Sequence, residues 1–289
     1  MTVPRVAPEW IAEHLDDPSV RIVEVDVSAA AYRGGHIPGA VLWNAYTDLR
    51  HPDYTLVDDT ELAELVERSG VADDTTVVFY GYGAHLGHWL MTSRGHADSR
   101  FMDGPRDRWT GAWTDDSPCL ARASNKLAPA SGLEASRDEV LGGDALVIDV
   151  RSQPEYEGER FWPSGAPEEV GRAGHVPGSV HVPIDALRTE DGDYRDLDAL
   201  RQAFEQAGVR SDRRVITYCT IGNRASQAWF ALSELLGHPD TAVYYGSWAE
   251  WGMRPDTPIA FGAGGVPSPL GRWAGPLDVQ LPPESPAAP

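Results

Sequence analysis

The chain repeats itself, and no other feature of its 289 residues limits the possible folds as strongly. The stretch "IVEVDVSAAAYRGGHIPGAVLWN" at 22–44 returns loosely within 146–183 as "LVIDVRSQPEYEG" and then "GRAGHVPGSVHVP". Each copy shows a short β-branched run ending at an acid, Asp26 or Asp149. A Gly-His-β-branched-Pro-Gly motif follows, at 35–39 and 174–178. The second copy carries 16 additional residues between acid and histidine. Beyond the motif the spacing is kept: His36 lies 44 residues before Tyr80, and His175 lies 43 before Tyr218. The copies close on "FMDGPRDRW" (101–109) and "VYYGSWAEW" (243–251). Three anchors in one order at near-constant spacing predict a duplicated domain.

Within each copy, short β-branched strands alternate with helical patterns, which predicts βαβ units. The expected class is α/β: two tandem domains, each a mostly parallel sheet with helices on both faces. The stretch 196–209 puts Leu197, Leu200, Ala203, Phe204 and Ala207 on one helical stripe, with Gly208 as its stop. "TELAELVERSGV" (60–71) does the same in the first copy. The expected division is an N-terminal domain at 1–110, a turn-rich linker at 111–131, a second domain at 132–261 and a Pro/Gly-rich tail at 262–289.

The net charge of −20 argues against nucleic acid or an anionic membrane as the main partner. No apolar run approaches the roughly 20 residues of a membrane span. The N-terminus has no basic start followed by an apolar stretch, so no signal peptide is expected. Cys119 and Cys219 are the only cysteines, and a cytoplasmic thiol protein without a metal site or other cofactor is the simplest expectation.

Aligning the copies sets "CTIGNRA" (219–225) against "GYGAHLG" (81–87), so Cys219 faces Gly81 and Arg224 faces Leu86. One copy carries a nucleophile and the other does not. A purely structural thiol gives no reason for the loop to differ at both positions; Cys119, in the linker, has no counterpart and reads as incidental. "RVITY" predicts a buried strand and "RASQAWFALSELL" a helix after the loop, with Gly237 as its C-cap. The loop therefore sits at the carboxyl end of a parallel strand and leads into a helix N-terminus, where an anion is favoured. A thiolate is the form such a place stabilises. Gly222 lets successive N–H groups turn inward as an anion nest, and Arg224 adds a permanent charge.

These residues resemble the tandem-domain rhodanese-type sulfurtransferases. The likeness rests on an HxPG motif in each half (His36, His175), the CxxGxR loop at Cys219–Arg224 and "GSWAEWG" at 246–252, and it spans about residues 5–260. It is nearest to the bacterial thiosulfate sulfurtransferase subgroup, whose loop reads C-R-I-G-E-R. The resemblance implies that Cys219 attacks the outer sulfur of thiosulfate, or the sulfur of 3-mercaptopyruvate, and holds it as a persulfide for cyanide, a thiol or a sulfur-carrier or reductant protein. The N-terminal domain would be catalytically inactive. The amides of Thr220, Ile221, Gly222, Asn223, Arg224 and Ala225 would cradle the transferred sulfur, and Arg224 would help bind the donor anion. Arg151 and Arg172 are further candidates for donor binding, or else structural ion-pair formers. Asp149 and the two motif histidines are expected to organise the fold, and Ser247 and Trp248 to face the loop.

The chain departs from the family at three places. Ile221 stands where mercaptopyruvate enzymes carry serine. Thr220 and Ile221 are both uncharged where many thiosulfate enzymes have a basic residue, and Glu155 falls where some relatives have arginine. Related phosphatases use a Cys-x5-Arg loop. The shorter Cys-x4-Arg spacing here suits a single sulfur atom better than a phosphoryl group. A persulfide relay module, loaded by a desulfurase rather than by thiosulfate, stays open as the alternative. A monomer is expected, because the two copies can bury their faces against each other.

Overall fold

The structure, a computed structural model, describes residues 4–128, 132–163 and 171–262. The Pro/Gly-rich segment beyond 262 and the centre of the insertion in the second copy lie outside the described residues.

Two five-stranded sheets follow one plan. The first contains β1 (Arg5–Val6), β2 (Val20–Asp26), β3 (Val41–Asn44), β4 (Thr76–Tyr80) and β5 (Ser99–Met102), in the order β1-β5-β4-β2-β3. The second contains β6 (Glu134–Ala135), β7 (Leu146–Asp149), β8 (Val180–His181), β9 (Val215–Tyr218) and β10 (Thr241–Tyr244), in the order β6-β10-β9-β7-β8. Every paired strand is parallel. Parallel strands need crossover connections, which place cover on both faces and make the strands apolar on both sides. In β4, Val77 and Phe79 enter one core while Val78 and Tyr80 enter another. In β9, Val215 enters the first core, and Ile216 and Tyr218 a third.

The first of these cores is continuous across both domains. The helices Ala84–Ser93 and Asn223–Phe230 pack together along it, bringing Trp89, Trp229, Phe230 and Tyr245 into one buried cluster. Trp89 stacks on Tyr245 with centroids 5.9 Å apart, and Phe101 meets Phe230 edge-on at 4.9 Å.

The predicted helices form where their caps allow. Asp58 and Glu61 make a reciprocal capping box at the start of Asp59–Arg68, and Asp196 caps Leu197–Gln206. Leu200, Phe204 and Ala207 are buried as expected, but Leu197, the first residue of the helix after its Asp196 cap, is exposed. The helix after the Cys219 loop ends in a π turn, Ala231–Leu235.

Strand register corrects one alignment. Glu24 is paired with Tyr80, as Asp149 is with Tyr218, so the buried acid equivalent to Asp149 is Glu24 and not Asp26. β2 runs two residues past that acid, which a reading based on the end of the apolar run cannot detect. The equivalence is also chemical: the Tyr80 hydroxyl accepts from Ile37 N at 3.1 Å, as that of Tyr218 does from Val176 N at 3.1 Å. His36 stacks on Tyr32 and His175 on Tyr156, each at 3.8 Å, and each Nδ1 meets the carbonyl of its stacking tyrosine. The HxPG histidines thus tie a loop to a short helix in both domains.

Candidate active site at the Cys219 loop

β9 ends at Tyr218 and the next helix begins at Asn223, so Cys219–Gly222 is a four-residue passage between them. Gly222 has φ +83°, a left-handed conformation that turns the chain into the helix. A Cβ there would lie 3.2 Å from the Tyr245 ring and from its carbonyl oxygen.

The loop's carbonyls are held from outside. Trp248 N donates to Cys219 O and Ala249 N to Thr220 O, both at 2.9 Å. Cys219 N donates to Ser247 Oγ at 3.2 Å, and that hydroxyl donates to Tyr244 O. Ser247 keeps φ +53°, an unusual backbone state for a non-glycine residue, while its hydroxyl meets the loop at Cys219 N. Because a trans peptide sets N–H opposite C=O, anchoring the carbonyls on one side turns the following amides to the other. Among the described residues, none of the amides from Thr220 to Ala225 has a hydrogen-bond acceptor. Six consecutive free donors at a helix N-terminus, around a cysteine only 1% exposed, form a ready cradle for an anionic sulfur.

The equivalent N-terminal loop is closed. Gly83 N donates to Val25 O at 2.7 Å and Ala84 N to Gly81 O at 3.3 Å, so the chain's own carbonyls fill its donors. The left-handed glycine is Gly81, φ +91°, at the position of Cys219 itself. A Cβ on it would come within 2.9 Å of Val25 O.

Arg224 does lie beside the loop, but its charge is balanced. Nη1 and Nη2 donate to the two carboxylate oxygens of Glu155, each at 2.8 Å, and Nη2 also reaches Thr220 Oγ1 at 2.6 Å. Thr220 Oγ1 in turn donates to Glu155 Oε1, and Ser152 caps the other oxygen through its amide and hydroxyl. Burial alone would raise the Glu155 carboxyl, but the bidentate arginine and the hydroxyl donors hold it down at about 2. Burial disfavours the charged Arg224, yet Glu155 and the Cys219 thiolate charge leave its guanidinium more firmly protonated than usual. The substitution of arginine by Glu155 therefore adds a countercharge as well as removing a cation.

Arg151 and Arg172 are not brought to the loop, and their geometry is that of the structural alternative. Arg151 is fully buried, chelates Asp149 through Nε and Nη2, donates to Gly174 O at 2.6 Å and stacks 4.4 Å over Trp248. Arg172 spreads its guanidinium over the carbonyls of Trp251, Gly252, Arg254 and Thr257, fixing the turn after the Ser247–Met253 helix. Trp248 is core, with its indole N–H on Arg172 O. Asn223 donates through Nδ2 to Tyr82 O of the N-terminal domain at 3.0 Å, so its side chain bridges domains. Ile221 lies buried in the loop.

Three N-terminal residues near the cysteine carried no sequence signal. Arg50 donates to Ile221 O, and the exposed rings of Tyr46 and Tyr82 stand near enough that, beyond the effect of burial, the Cys219 charge pushes their phenols up.

Two sheets of one topology, with one loop whose amides stand open and one whose amides are filled, define a duplicated domain. The rhodanese-like domain model matches residues 7–112 and again 135–254, and the chain belongs to that family, in the tandem arrangement of its sulfurtransferases. The sulfur carrier protein TtuD of Thermus thermophilus is 36% identical over 274 residues, which is 89% of this chain and 96% of that one. A Mycobacterium tuberculosis protein named "Putative thiosulfate sulfurtransferase SseA" is 38% identical, over 89% of this chain and 90% of its own. Among solved structures, the anaerobic ergothioneine biosynthesis enzyme of Chlorobium limicola superposes with a TM-score of 0.76 at 24% identity, covering 90% of this chain and 70% of the other, a likeness of fold. No helix among the described residues is long and apolar enough to cross a membrane.

Proposed function

We propose that this sulfurtransferase takes sulfane sulfur from thiosulfate and carries it on Cys219. The thiolate attacks the outer sulfur, a new S–S bond forms, and the donor's S–S bond breaks with its electron pair leaving on sulfite. The products are a cysteine persulfide anion and sulfite, so charge is conserved. An acceptor thiolate or cyanide then attacks the outer persulfide sulfur and returns the Cys219 thiolate. The observation that carries this reading is the row of acceptor-free amides from Thr220 to Ala225, a local positive field within a chain of net charge −20. The acceptor would be a small thiol or a sulfur-carrier or reductant protein, the setting cytoplasmic and the working form a monomer.

Incubation with thiosulfate should add one sulfur atom, mapped to Cys219 by mass spectrometry. An adduct that persists in Cys219→Ser, or no adduct at all, would sink the mechanism.

The Arg224–Glu155 pair favours a second reading, a relay loaded by a cysteine desulfurase. With Arg224 neutralised by Glu155, a dianionic donor such as thiosulfate meets little net positive charge, whereas delivery from a persulfide on a docked partner protein does not depend on that charge. The relative TtuD is named a sulfur carrier. Loading by a desulfurase without turnover of either thiosulfate or 3-mercaptopyruvate would select this reading.

A further inference from the structure

The carbonyls of Cys219 and Thr220 are anchored by backbone amides of their own domain, but the third in the series is anchored from elsewhere. Ile221 O accepts from Arg50 Nη2 at 2.6 Å, across 171 residues of sequence and across the domain boundary. Arg50 is itself fixed: Nε donates to Ala45 O at 2.6 Å, and its guanidinium carbon lies 4.4 Å over the Tyr245 ring. Tyr245 OH donates to Leu49 O, closing a ring of contacts between the two domains. Arg50 is buried and its Nη1 has no acceptor among the described residues. Whereas Arg224 is matched by Glu155, Arg50 forms no ion pair with a described carboxylate, so its positive charge is expressed on the Ile221–Gly222 peptide.

We propose that Arg50 is a positioning residue for the sulfur site, through which the domain without a nucleophile sets the donor strength of the Gly222 amide. The trans peptide turns the Gly222 N–H away from Arg50 and into the loop. A cation on the carbonyl polarises the peptide and makes that N–H a stronger donor, as in any chain of hydrogen bonds. The cradle is therefore completed only when the domains are docked. Chemically, the group that Arg50 strengthens this donor for is the anionic sulfur of Cys219, as thiolate or persulfide.

The test needs no sulfur donor, so it stands apart from the proposed function: failure of thiosulfate loading would leave it untouched. In a Cys119→Ser background, Arg50→Met removes charge and donor, and Arg50→Gln keeps a neutral donor. At fixed neutral pH, iodoacetamide alkylation of Cys219 should slow about tenfold in Arg50→Met, the scale of one charge-assisted hydrogen bond, and by a smaller factor in Arg50→Gln. The Gly222 amide resonance in 15N–1H spectra should move in Arg50→Met, a change that loss of a distant brace would not produce. A lower melting temperature with unchanged alkylation rate and unchanged Gly222 resonance would make Arg50 a domain brace only and overturn the proposal. Should Arg50→Met not fold, a wild-type alkylation rate in Arg50→Gln overturns it equally.

Discussion

Glu155 carries two opposed consequences in one carboxylate. It is fully buried, and its bidentate contact with Arg224 joins Thr220 to the network that shapes the loop. Glu155→Gln leaves Arg224 without its countercharge, so stability should fall by about 3 kcal/mol, as for a broken buried pair. The freed cation should at the same time lower the KM for thiosulfate; steady-state kinetics beside thermal melts would check both, and an unchanged KM would mean that the donor does not sense Arg224. The sign of the pH effect follows from a carboxyl held near 2, below its ordinary 4.5. Its contribution to stability is present above about pH 4.5 and is lost as the pH falls toward 2. The cysteine–arginine spacing made the loop legible in the sequence, because both residues belong to one local passage. The roles of Glu155 and Arg50 were not legible, since each depends on a partner 69 or 171 residues away.

At the level of elements, the loop works because a glycine at its end accepts a left-handed backbone. Gly222→Ala should cost about 1–2 kcal/mol for that conformation, with further strain from the close approach to Tyr245. Cys219 alkylation should fall as the amides lose alignment; normal stability and reactivity in this variant would mean that the loop tolerates another path. The repeat itself was readable because parallel strands buried on both faces leave continuous apolar runs, and because HxPG turns keep fixed spacing. The misplaced acid equivalence, Asp26 for Glu24, shows the limit: register is set by pairing with β4, and pairing is not written in either strand alone. Leu197 likewise fits the helical stripe by period but stands exposed at the first position of its helix.

Across the whole molecule, two buried histidines sit at the seam between domains. His85 lies 3.4 Å from the guanidinium of Arg188 and packs on Phe101, Tyr194 and Phe230. His88 meets Ser99 Oγ at 3.0 Å beside Trp229 and Phe230. Burial drives both to the neutral form, His88 down to about 4 from an ordinary 6.5, and Arg188 adds repulsion at His85. Below pH 6.5 the unfolded chain binds protons that the folded one refuses, so stability must decline as pH falls from 6.5 toward 4. For His88 alone the decline amounts to about 3 kcal/mol. Melting temperatures over that range should show the slope, and His88→Gln should flatten it; an equal slope in the variant would place the proton uptake elsewhere.

The closed loop of the first domain also limits what substitution there could achieve. At Gly81 a side chain would meet Val25 O and the Glu24 side chain, on a backbone turned to the left-handed region. A single codon change to cysteine would thus damage the strand end before it offered a thiol. With Val25 O accepting from the Gly83 amide, this half keeps its own loop shut, and what it lends its sister is the grip of Arg50 on Ile221 O and of Tyr82 O on Asn223.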